Sequence, residues 1–161
     1  PAVGGALRGE AGTVEEQLRQ VALRNGQKYS DTYYFNAAKA VASGKTDIQA
    51  FTDQVRQDAA TAYPVFADKI TAGMDVADLA SGYTNKLAQT FELDPNQVGL
   101  DDPFIKDALG GMDPATGEPK AMGMWDFEKK LRADPRWSGT KQAKDAADGA
   151  PYSVLKTFGF I

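Results

Sequence analysis

Histidine and cysteine are both missing from the 161 residues. Without histidine the chain can supply no imidazole general base, no Ser-His-Asp triad and no histidine metal ligand. Without cysteine it has no disulfide, no thiolate metal site and no thiol nucleophile, although this leaves the compartment open, because many secreted chains also lack the residue. Long apolar runs are absent too: nothing approaches the roughly 20 apolar residues that cross a bilayer, so no transmembrane segment is expected. The start has neither the charged nor the apolar region of a signal peptide. No glycine-rich phosphate loop and no dinucleotide fingerprint occurs, and Gly4-Gly5 and Gly110-Gly111 lie outside any strand-to-helix context. No internal repeat of fixed period is found. No catalytic residue, cofactor or metal is named on these grounds, and only carboxylates remain to be weighed.

What is present describes a folding chain. Hydrophobic residues make up 42% and charged residues 25%, the balance of a globular protein, and the length suits one domain. The formal net charge of -4 gives no general attraction to phosphate backbones, so nucleic acid is not expected as a partner. The first residue is Pro1, not Met, which suggests a piece of a longer protein. Residues 1–12, rich in Gly and Ala, read as a linker or frayed end. Residues 13–151 then form a helical domain, and residues 152–161 an apolar C-terminal docking tail.

The expected fold is mainly α, a compact bundle of short and medium helices. Thr13 with Glu16 makes a capping-box start, and Val14, Leu18 and Val21 recur at helical spacing until Asn25-Gly26. Ser30 or Asp31 caps a second helix ended by Gly44, with Tyr34, Ala38 and Val41 on one stripe. Thr46 opens a third, carrying Ile48, Phe51, Val55 and Ala59 to a break at Tyr63-Pro64. Val65, Phe66 and Ile70 follow. Asp75 then caps a helix to Phe91, with Val76, Leu79, Tyr83 and Leu87 facing the core beside Phe51 and Val55. Four Asp-Pro pairs, at 94-95, 102-103, 113-114 and 134-135, each offer a capping carboxylate before a proline suited to a first helical turn or a tight turn. Short helices are expected over 103–109 and 124–132, a last one over 135–148, and one small β-hairpin near residues 111–122.

Carboxylates remain as candidates for chemistry. Glu92 and Glu128 are the glutamates nearest apolar neighbours, yet neither has a visible carboxylate mate, and a solvated or capping role is the plainer reading. Asp94, Asp101, Asp102 and Asp113 lack the alternating spacing of a calcium loop. Basic residues gather at Lys129, Lys130, Arg132, Arg136, Lys141 and Lys144, either as a solvated face interleaved with acids or as a docking patch for an acidic partner. Trp125 and Trp137 either pack the core or anchor a partner. The residues put forward for partner binding are Trp125, Arg132, Arg136, Trp137, Tyr152, Leu155, Phe158 and Phe160. For the tail, self-packing and capture by a neighbour stay open.

Several stretches carry a resemblance. They are Tyr63-Pro64-Val65-Phe66-Ala67-Asp68, Gly73-Met74-Asp75-Val76-Ala77-Asp78-Leu79-Ala80, Leu93-Asp94-Pro95 with Asp102-Pro103, Met124 to Glu128, and Leu131-Arg132-Ala133-Asp134-Pro135-Arg136-Trp137. Lys141, Ala143-Lys144-Asp145 and the closing Phe158-Gly159-Phe160 complete them. From about Gln27 to Ile161 the chain resembles the C-terminal region of large virion proteins, of tail or tape-measure type, from tailed phages infecting Actinobacteria. The resemblance implies a place in the phage tail, other tail proteins as partners and a homo-oligomer, with a trimer the natural number on a tail axis. It carries over no catalytic residue. A cell-wall hydrolase-associated or peptidoglycan-binding module is the alternative it leaves.

Overall fold

The computed structural model describes residues 9–146. It is mainly helical, as the apolar spacing requires, and the chain divides into two compact units, Pro1–Leu79 and Ala80–Ile161.

In the first unit α1 (Gly9–Arg24), α2 (Asp31–Ala42) and α3 (Ile48–Ala62) pack together. Leu18 and Ala22 of α1, Ala38 of α2 and Val55 of α3 are completely shielded from solvent, with Val14, Tyr34 and Phe51 around them. These are the residues on the helical stripes, so amphipathic spacing produces the core directly. The first helix begins at Gly9, four residues before the capping box at Thr13, so 9–12 are helix where a linker was expected; once a helix is nucleated, each added residue is cheap to extend. Ser30 caps α2 by accepting the Tyr33 N–H at 3.1 Å. Asp47, not Thr46, caps α3 by accepting the Ala50 N–H at 2.8 Å. The break at Tyr63 is where Pro64 demands it, and a 3₁₀ turn (Pro64–Phe66) leads into α4 (Ala67–Thr71), whose Ile70 is fully buried. Gly26 has φ 65°, and a side chain there would collide with the Tyr63 ring, so glycine is required twice over.

The long helix expected from Val76 to Phe91 is two helices. α5 (Val76–Leu79) is a single turn, and α6 (Ser81–Phe91) starts after Ala80. Ser81-Gly82 holds two poor helix formers at the point of the break, which the continuous apolar spacing hides. The expected core stripe splits with it. Val76 and Leu87 are fully buried, one in each unit, while Leu79 and Tyr83 are only half-buried.

In the second unit α6 packs on α7 (Pro103–Leu109) and α8 (Met124–Arg132), and α9 (Pro135–Ser138) follows α8 closely. Leu87, Ile105, Ala108, Phe127 and Leu131 are fully buried. The Tyr83 ring meets Phe127 edge-on at 5.1 Å, and the Tyr83 hydroxyl donates to the Met122 carbonyl. Each of the four Asp-Pro pairs uses its aspartate to accept the N–H two residues on, from Asn96, Phe104, Ala115 and Arg136, at 2.8–2.9 Å. The expected hairpin is reduced to one antiparallel bridge between Met112 and Pro119, held by the Asp113 N–H donating to the Glu118 carbonyl at 2.7 Å and the Lys120 N–H donating to the Gly111 carbonyl at 2.8 Å. The single last helix is also corrected. Gly139 ends α9, and a new helical stretch runs over 141–146. Residues 147–148 of that expected helix, the start of the linker, and the tail with Tyr152, Leu155, Phe158 and Phe160 lie outside the described residues.

Candidate interaction surface

The second unit presents the most distinctive surface, and α8 builds it. Phe127 and Leu131 are four residues apart and face inward, both fully buried, which fixes the rotation of the helix. Trp125, Lys129 and Arg132, at intervals of four and three, therefore share an outward line. Trp125 is 72% exposed. The Lys129 ammonium lies 5.0 Å from the centre of the Trp125 ring, and the Arg132 guanidinium 5.6 Å from that of Trp137. Arg132 also meets Glu128 at 2.9 Å, and Glu128 lies 3.8 Å from Lys86 of α6. The structure thus joins Trp125, Arg132 and Trp137 into one stripe of alternating rings and cations. For Trp125 the exposure rules out the core-packing alternative. Trp137 is half-buried.

Arg136 takes another position. Its guanidinium lies 4.6 Å from the Phe91 ring centre and 5.3 Å from that of Phe104, so it works inside the unit as a cover over two aromatic rings. Asp134 holds it there through its Oδ1, 3.1 Å from Nε, and also caps α9. The hydrogen bond from the Arg136 backbone N–H, more than the guanidinium, keeps the Asp134 carboxyl below the ordinary carboxylate range.

The other flank of α8 borders an open cavity of about 420 Å³ lined by Pro103, Phe104, Asp107, Lys130 and Ala133, with Lys130 paired to Asp107 at 2.6 Å. No sequence signal marks it, because the cavity depends on which helix α7 lies beside. The chain matches no protein-family model, no curated protein and no solved structure. The surface has only its own geometry to define it.

The two glutamates have local partners. The Glu92 carboxylate accepts the N–H of Lys141 at 3.1 Å and of Gln142 at 2.7 Å, capping the stretch 141–146. Glu128 is a member of the ion-pair line described above. Asp94, Asp102 and Asp113 are the caps of their own Asp-Pro turns. Among the described residues no cluster of acids could hold a metal ion, and no helix is long and apolar enough to cross a membrane.

One polar assembly is invisible in the sequence. Asn25 is completely buried; its amide donates to the Val21 carbonyl at 3.0 Å and to Asp75 at 3.2 Å, and its oxygen accepts the Val76 N–H at 3.3 Å. Arg24 adds bonds of 2.8 Å to Asp75 and 2.7 Å to Asp78. Together they fasten α5 to the end of α1 within the first unit. An Asn-Gly pair after a helix reads as a stop signal alone, so nothing in the pattern announces a partner fifty residues away.

Proposed function

We propose that this chain is a non-catalytic structural and assembly domain of a bacteriophage virion protein, the C-terminal part of a tape-measure or tail-tip protein, which anchors that protein to the distal tail. The resemblance from Gln27 to Ile161 supports the location. The exposed Trp125 supports the mode of action. A tryptophan left 72% in solvent on a helix locked by Phe127 and Leu131 is a preformed anchor, since its helix loses little freedom on binding. Lys129 and Arg132 place cations beside the rings, where a partner's carboxylates would find them. Further copies of the chain and other tail proteins are the partners this reading names, and the virion is the location.

Mass spectrometry and labelling of purified phage particles test the reading. The chain should be found in the particle and at the tail. Absence from particles would end it. Pelleting with insoluble peptidoglycan tests the alternative directly: specific retention, or release of soluble fragments, would move the chain to the cell-wall class.

A further inference from the structure

We infer that the α8 stripe docks on the acidic surface of a second copy of this chain, head to tail. The inference rests on the proposed reading only in taking the α8 face as the binding surface. Charge is distributed unevenly along the chain. Residues 124–146 hold six basic and four acidic side chains, whereas the rest holds twelve and eighteen. That segment also carries the exposed Trp125. Among the described residues Lys129, Lys141 and Lys144 have no carboxylate in ion-pair range, so their charge is available to a neighbour.

The complement lies in the same sequence. Residues 92–102 carry Glu92, Asp94, Asp101 and Asp102 with no basic residue among them, and are exposed over most of their length. Leu93 is 40% exposed between two of those acids. A large ring flanked by cations on one copy and an aliphatic side chain flanked by carboxylates on the next fit in both polarity and charge. Two α8 stripes facing each other would set lysine against lysine, which disfavours a two-fold contact. Unlike surfaces in contact make a heterologous interface, and repetition of it either closes a ring or grows a filament.

Sedimentation of the whole chain tests this. The wild type should exceed its 17.3 kDa monomer mass as concentration rises. It should dissociate between 0.1 and 1 M salt, where the screening length falls from about 10 to about 3 Å. The double variant Trp125→Ala/Lys129→Glu breaks the stripe and Asp101→Lys breaks the acidic face, both at exposed positions. Each alone should associate at least about tenfold more weakly than wild type. Mixed, they should form a heterodimer, because each retains the surface the other lost. A wild type that stays monomeric, association that ignores both variants, or variants that fail to recombine while folded would overturn the inference. A monomer that is nonetheless found at the phage tail would sink this inference and leave the proposed function standing.

Discussion

Two neighbours on α8 show how position decides the work of an aromatic residue. Phe127 is fully buried against Tyr83, and Phe127→Ala should cost about 3–5 kcal/mol in urea unfolding. Trp125→Ala removes a larger ring that lies mostly in water and should cost less than about 1 kcal/mol. A large loss at Trp125 would return it to the core. Asn25 is the opposite case, a polar residue whose burial is structural. Asn25→Ala should destabilise the first unit by about 1–3 kcal/mol, because the buried Val76 N–H loses its partner and Asp75 loses one of its hydrogen bonds. Burial pushes the Asp75 carboxyl up, but the hydrogen bonds from Arg24 and Asn25 and the charges of Arg24 and Arg56 outweigh it, so its pKa lies below the ordinary value of about 3.9. A folded pKa below the unfolded one means that its contribution is complete above about pH 4–5 and is lost as pH falls through the folded value. Acid titration of unfolding should therefore show part of the decline below about pH 4 disappear in Asp75→Asn. An unchanged acid limb would mean that Asp75 contributes nothing there.

At the scale of elements, the Asp-Pro pairs are the most readable feature of the sequence, because an Asx cap and a fixed proline φ are local events that need no tertiary context. The same locality explains the stripe itself: Trp125, Glu128 and Arg132 fall on one line of any helix, and Phe127 and Leu131 on another. Long-range events are not legible. The spacing from Val76 to Phe91 looks continuous, while Ser81-Gly82 interrupts it, and only the anchoring of Asp75 to α1 shows that α5 belongs with the first unit. Glu92 is a further example. It occupies a left-handed conformation at the end of α6 with φ 55°, and its carboxylate caps a helical stretch fifty residues later. Glu92→Ala should remove that cap at a cost of about 0.5–2 kcal/mol, and the Lys141 and Gln142 amides should exchange faster with solvent while those of α8 do not. Equal exchange in the variant and the wild type would show that the cap holds nothing in place. Glu92→Gln keeps one acceptor oxygen and should lie between the two.

At the scale of the whole molecule, the geometry of α8 supports the proposed account, in which this chain acts by contact. The lack of histidine and cysteine narrows the chemistry through composition alone. The remaining acids with an obvious apolar setting, Glu92 and Glu128, have a capping and an ion-pairing task. The candidate surface is half legible: Trp125, Arg132 and Trp137 are joined, Arg136 is turned to Phe91 and Phe104, and Tyr152, Leu155, Phe158 and Phe160 lie outside the described residues. The central claim is the proposed one, that the α8 face anchors this chain in a phage particle. The most direct measurement is the amount of chain incorporated into purified particles when Trp125→Ala replaces the wild type, with the folded protein made at the same level. The account predicts a fall of about tenfold or more, the scale of losing one anchor residue. Incorporation equal to wild type would contradict it.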